Sequence, residues 1–181
     1  RLVLGIWTDQ YGGRSVLTLV MLSAAIATAL LTFAYDYPTY LLAALGVGIA
    51  GGSFSVGVAY VSRWFPKERQ GAALGIFGAG NVGAAVTKFL APTIMVAYGW
   101  HTVAYVWAAA IAFVGIWFYI FADEDPDLKA RRAEKRPPVS FWSQLEPLKN
   151  IQVWRFSLYY FFVFGAFVAL ALWLPRYLMG V

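Results

Sequence analysis

TVAYVWAAAIAFVGIWFYIFA, residues 102–122, is a run of apolar and aromatic residues without a single Asp, Glu, Lys or Arg. At ~1.5 Å per residue a helix of this length reaches about 30 Å, the thickness of a bilayer's hydrocarbon core. YGWH (98–101) precedes it and DEDP (123–126) follows it, so the run is bounded by turn and loop residues on both sides. One such run could be the buried helix of a soluble protein. The sequence holds four more, at 15–34, 39–62, 71–97 and 153–174. Hydrophobic residues are 61% of the 181 positions and charged residues 13%, against about 25% charge in a soluble domain. The expected fold class is all-α, a polytopic transmembrane helix bundle. Eight Trp and eleven Tyr suit a protein that places aromatic rings at two water interfaces. There is no cysteine, which excludes disulfides and thiolate chemistry, and the single histidine, His101, leaves no pair for a metal. No cofactor and no metal are expected.

The connections between the runs alternate in charge. Residues 1–8 read as the last turns of a further helix, followed by a polar link at 9–14 with Arg14. A turn at 35–38 has Asp36 and no basic residue. The link at 63–70 carries Arg63, Lys67 and Arg69, and the turn at 98–101 only His101. The long segment 123–152 carries Lys129, Arg131, Arg132, Lys135, Arg136 and Lys149, with Phe141, Trp142 and Leu145 expected on the membrane surface. Pro175-Arg176 is expected to close the fifth run. Basic residues thus sort to every second connection, the positive-inside pattern, which places 63–70 and 123–152 in the cytoplasm and the two short turns outside. The formal charge of +5 lies mostly in these loops and bears on topology rather than on nucleic acid. The sequence starts at Arg1 without Met and ends at Val181 just after an apolar run, which reads as a fragment of a longer chain.

Small residues recur every four positions at Gly71, Gly75, Ala79 and Gly83, and again at Gly48 and Gly52. Such stripes let helix backbones approach inside lipid. They fit a tight helix pair as well as a helix that slides against its neighbour.

Polar groups inside apolar runs are costly unless they face a partner or a cavity. Arg1 precedes Gly12 by eleven residues, about 16 Å along a helix. Asn81 stands ten residues into the third run, about 15 Å deep, and Tyr160 seven into the fifth, about 11 Å deep. Three helices therefore bring a guanidinium, an amide and a phenol toward the bilayer midplane, where transporters hold their central sites. These are donors suited to an oxyanion, and no acid lies within the five runs. Each also has a plainer reading: Asn81 as a helix-to-helix hydrogen bond, Tyr160 as packing beside Tyr159, Arg1 as a residue of undefined depth. Lys88 follows Asn81 by seven residues on about the same helix face. It either snorkels to the outer interface or lines the pathway and exchanges a proton.

GIWTDQYGGR (5–14) resembles the loop motif between the second and third helices of the major facilitator superfamily, with Gly5, Asp9, Gly12, Gly13 and Arg14 in its places and Gln10 at a position that is often basic. GIFGAGNVGAAVTK (75–88) is similar to the nitrate signature of the nitrate/nitrite porter family, with Gly-x-Gly-Asn-x-Gly intact at Gly78, Gly80, Asn81 and Gly83. RWFPKERQG (63–71) resembles the loop before that signature, and SLYYFFVFGAF (157–167) resembles the seventh-helix segment whose tyrosine, here Tyr160, lines the anion site. Arg1 falls where that family has a substrate-binding arginine. The resemblance covers essentially the whole chain.

It implies twelve spans in two halves with alternating access. Residues 1–122 would be the end of helix two and helices three to six of the N-terminal half, 123–152 the central cytoplasmic loop, and 153–181 helix seven. The implied function is transport of nitrate and/or nitrite, by proton-coupled symport or by nitrate/nitrite antiport, in nitrate assimilation. Arg1, Asn81, Tyr160, Gly80 and Gly83 would bind the anion, and Lys88 is the candidate for coupling. The implied setting is a bacterial or archaeal cytoplasmic membrane, as a multi-pass, monomeric protein whose partners are the anions, protons and lipid. The alternative is a facilitator for another small anion, such as a carboxylate or sugar acid. An enzyme is not expected: a membrane transferase needs an acid, base or metal cluster near the interface, His101 stands alone, and Asp123, Glu124 and Asp125 read as solvated loop charges.

Overall fold

The computed structural model describes residues 2–134, 143 and 145–180. It divides into two units, Arg1–Pro138 and Val139–Val181, each considered by itself. Among the described residues five helical stretches are long and apolar enough to cross a membrane: Gly13–Phe33, Tyr37–Ser62, Lys67–Tyr98, Trp100–Phe121 and Ile151–Ala171. They answer to the five expected runs, and the chain is an all-α polytopic bundle.

In the first unit α1 is Leu2–Tyr11 and α2 Gly13–Leu30, the latter continued by a 3-10 turn, Leu31–Phe33. The expected polar link at 9–14 is a single residue, Gly12, at φ +90°. Nothing in WTDQY breaks a helix, so α1 runs on to Tyr11, and only glycine readily adopts the left-handed backbone that re-aims the chain. The second span is α3, Tyr37–Gly48, a 3-10 turn at Ile49–Gly52, and α4, Ser53–Ser62. Asp36 and Thr39 form a capping box at its start, with Pro38 in the first turn.

The third span is α5, Lys67–Gly78, a 3-10 turn at Ala79–Asn81, and α6, Val82–Tyr98. It begins four residues before the expected 71, because Pro66 is the cap residue and frees Lys67–Gln70 to be helical. Gln70 Nε2 donates to the Ser62 carbonyl at 2.8 Å and fastens the remaining link. The expected turn at 98–101 is also one glycine, Gly99 at φ +85°, followed at once by α7, Trp100–Phe121.

The segment after α7 is not simply a loop. Asp125 caps a short helix, α8, Pro126–Ala133. In the second unit a 3-10 turn, Glu146–Lys149, leads into α9, Ile151–Met179. Pro175-Arg176 does not close that helix: it continues through both to Met179. A proline costs a helix one backbone hydrogen bond, which membrane helices tolerate. Phe141 and Trp142 lie outside the described residues.

The core of the first unit is thin. Val16, Val20 and Val56 are buried, with Leu4 and Leu17 packed on them. α2 supplies most of the buried surface, through Val16, Thr18, Val20, Ala24, Ala25 and Ala27. Close approach decides its neighbours: a Cβ on Gly115 of α7 would stand 3.2 Å from the Met21 Cβ, and one on Gly46 of α3 would stand 2.7 Å from the Ala27 Cβ. Large apolar side chains such as Phe89, 81% exposed, face outward, as a lipid solvent allows. The ends of α1, α4 and α7 that adjoin Gly12, Arg63 and Asp123 meet at one end of the unit. The short turns meet at the other, where the Tyr40 and Trp100 rings are 6.2 Å apart and the Thr32 and Tyr105 hydroxyls 3.0 Å apart.

Candidate functional site

Asn81 ends the 3-10 turn inside the third span, where three of five successive residues, Gly78, Gly80 and Asn81, are poor helix formers. The span has 32 residues, so its middle falls at 82–83 and Asn81 lies within about 3 Å of it along the axis. The second span is interrupted at Ile49–Gly52, around the middle of its 26 residues. A 3-10 stretch has poorer backbone hydrogen bonds than an α-helix, and such stretches in mid-helix mark hinges and sites. Phe77, one turn before Asn81, packs on Phe54 at 5.5 Å and fills the space over Gly57. That contact presses α5 to α4 and sets the rotation of the helix.

Asn81, Gly80, Gly83 and Lys88 are all exposed. Among the described residues the Asn81 amide makes no hydrogen bond, so the helix-to-helix bond that was its plainer reading does not occur within this unit. Nothing lies within 4 Å of a Cβ built on Gly71, Gly75, Gly80 or Gly83, so these glycines are not packed against another described helix of the first unit. Lys88 stands ten residues before Tyr98, about 15 Å below the end of the span. Arg1, the arginine candidate, lies outside the described residues. Tyr160 belongs to the second unit. It sits nine residues after Ile151, about 14 Å into α9, 45% exposed and stacked on Phe164 with ring centroids 5.4 Å apart.

A cavity of about 600 Å³ opens between α2, α3, α6 and α7, lined by Thr28, Tyr40, Thr87, Met95, Trp100 and Trp107 among others. Gly80, Asn81 and Gly83 do not line it. Its polar groups are few, and Trp107 Nε1 donates to Thr87 Oγ1 at 3.1 Å, so it offers no charge to an anion.

The densest polar arrangement stands at the Gly12 end. Arg63, just past α4, donates from Nη1 to Asp125 and from Nη2 to Asp9, and its Nε is 3.8 Å from an Asp127 oxygen. Burial would lower its pKa, but the hydrogen bond and charge of Asp125, and then of Asp9, outweigh this and raise it above the ordinary arginine value. Asp125 is fully buried and also accepts from the Asp127 backbone N–H at 3.0 Å. The expectation that Asp125 is a solvated loop charge is therefore corrected: its neutralising arginine comes from the end of α4. Arg14 of the loop motif donates to the Tyr119 carbonyl and lies 4.5 Å over the Tyr119 ring. Of the motif residues, Asp9, Gly12, Gly13 and Arg14 are thus engaged here, while Gly5 has open space. Sequence reasoning did not single out Arg63 and Asp125 as partners. The available signal was Asp125-Pro126 ahead of Leu128, an N-cap and first-turn proline that announce a short helix.

An all-α chain with five apolar spans, the basic connections of its first unit gathered at one end, is a multi-pass membrane protein. The Major Facilitator Superfamily profile matches residues 1–181, and the chain belongs to that superfamily, a class of transporters and not of enzymes. The "Probable nitrate/nitrite antiporter NarK1" of Thermus thermophilus is 45% identical over 100% of this chain and 42% of its own length. The "Nitrite extrusion protein" of Bacillus subtilis is 33% identical, covering 99% of this chain and 44% of that protein. The "Probable nitrate/nitrite transporter NarK2" of Mycobacterium tuberculosis is 31% identical, covering 100% and 45%. The kinship with nitrate/nitrite porters read from the motifs is borne out. The chain spans about two-fifths of the length of these relatives. No solved structure matches it.

Proposed function

We propose that a chain of the relatives' length carrying this sequence transports nitrate and nitrite across the cytoplasmic membrane by alternating access. The observation that supports this most is the 45% identity, along the whole of this chain, to a protein described as a nitrate/nitrite antiporter. Arg1 supplies a permanently charged, planar fork to the anion's oxygens. Asn81 adds an amide N–H from the middle of its span, and its exposed side chain carries no competing bond among the described residues. Gly80 and Gly83 keep the backbone beside it open, with no atom within 4 Å of where a Cβ would stand. Tyr160 contributes a phenol from the other half. Anion charge offsets the repulsion between Arg1 and a second arginine on a later helix, which permits the halves to close. Lys88 is the coupling candidate, on the same helix as Asn81 and well below its outer end. The protein works as a monomer, with its basic loops in the cytoplasm.

Uptake of nitrate into vesicles holding the full-length protein tests this, with and without an imposed pH gradient. Arg1→Lys keeps the charge and loses the fork, and is expected to remove nearly all uptake. Uptake at the unaltered rate would mean that Arg1 is not the anion's ligand. Lys88→Gln should abolish any dependence on the pH gradient if Lys88 carries the coupled proton, and leave it intact if the side chain only reaches the headgroups.

A further inference from the structure

The residues that follow α7 are held down at four points. Tyr60 of α4 donates its hydroxyl to the Asp123 carbonyl at 2.6 Å. The Asp125 carboxylate, fully buried, takes Arg63 from the end of α4. Leu128, 7% exposed, lies over the joint between α1 and α2, where a Cβ on Gly12 would come 2.8 Å from its Cδ2. Arg131 donates to the Asp9 carbonyl at 3.4 Å. The groups that face the Arg63 guanidinium are therefore Asp9 from α1 and Asp125 and Asp127 from the α8 segment. Arg63 is the bolt: one fork nitrogen holds the joint and the other holds the segment laid across it.

Gly12 is the natural flexing point. It is the one residue between two helices, at a positive φ, and its neighbour Gly13 is jammed against the Tyr60 ring. A helix of eight residues such as α8 is not stable alone in water. Its order must come from docking, and among the described residues it docks on Asp9 of α1, on Gly12 at the joint and on Arg63 just past α4.

We propose that Asp123–Ala133 is a strap across the Gly12 joint, locked by the Asp125–Arg63 pair, that makes the ends of α1, α2, α4 and α7 move as one body. This does not rest on the nitrate reading. It assigns Asp125, Leu128 and Arg63 a shared task as positioning residues.

Hydrogen exchange on the full-length protein in lipid nanodiscs reads it directly, and uses no nitrate. In the unaltered protein, amides of 127–133 should exchange at least about tenfold slower than a free peptide of that sequence. Asp125→Asn is informative because Asn also caps a helix but carries no charge to hold Arg63. Arg63→Gln removes the bolt from the other side. Both variants should bring α8 close to free-peptide exchange. Both should also speed exchange at 12–16, where neither is mutated, while 20–28 in the middle of α2 stays unchanged and reports an intact fold. Free-peptide exchange of α8 in the unaltered protein would overturn the proposal. So would variants in which α8 loosens and the Gly12 joint does not, since the segment would then be a passenger and not a strap.

Discussion

Arg63 carries its charge with three carboxylates around it and a side chain only 19% exposed. Its pKa is raised in the folded protein. A raised cationic pKa favours the folded state at every pH below the unfolded arginine value, and the contribution is lost only above the still higher folded one. Alkaline conditions short of that should not loosen the cluster. Exchange of the α8 amides, corrected for the intrinsic rate, should show the same protection at about pH 7 and pH 9. Arg63→Lys should weaken protection at both, because one ammonium cannot serve Asp9 and Asp125 with a fixed fork. Asn81 makes a different kind of prediction. A hydrogen bond to a charged group contributes about 1.5–3 kcal/mol, so Asn81→Ala should weaken nitrate binding by about ten- to a hundredfold. The amount of folded protein should not change, since the side chain is exposed and unbonded among the described residues. The place of Asn81 near mid-span was legible in the sequence because the apolar run around it is long enough to cross a membrane. The Arg63–Asp125 pair was not, because its partners are 62 residues apart and each alone looks like an ordinary loop charge.

At the scale of elements, glycines divide by what surrounds them. A methyl group on Gly13 would press on the Tyr60 ring and on its Cβ, 2.7 Å away. That ring is pinned by its hydroxyl and edge-on to Phe118 at 5.7 Å, so it cannot swing aside. Gly13→Ala should cost about 1–3 kcal/mol, seen as a lower thermal unfolding temperature in detergent. Gly83→Ala meets no atom within 4 Å and should leave that temperature unchanged within this unit. The two glycines look alike in sequence, and the stripe at Gly71, Gly75 and Gly83 was the more regular pattern. Spacing shows that a face is smooth, not what lies against it. The spans themselves were legible because five long apolar runs admit few structures. Their ends were not, because a single left-handed glycine, Gly12 or Gly99, can replace a turn of several residues, and Pro66 lets a charged stretch begin a helix. α8 was hidden by its composition: half of PDLKARRA is charged, and it is held by contacts with distant residues.

For the whole molecule, the basic connections gather at one end of the first unit and the short turns at the other, as a set of antiparallel spans requires. With the basic end in the cytoplasm, Asp36→Cys and Lys129→Cys should react with an impermeant thiol reagent from opposite sides of the membrane. Reaction of both from one side would contradict the assignment. The superfamily was legible from the loop motif at 5–14, and the nitrate/nitrite porters from the signature at 75–88 with the loop before it and the segment 157–167. The substrate rests on kinship and on a set of donors without an acid among the spans. It is therefore best tested by flux. Full-length protein in proteoliposomes, loaded with nitrite or left empty, would be given nitrate outside, with a carboxylate of similar size as the competitor. Nitrate entry that saturates, that nitrite competes with and the carboxylate does not, and that falls with Asn81→Ala, is the predicted result. Entry of the carboxylate in preference to nitrate, with Asn81→Ala without effect, would contradict the account.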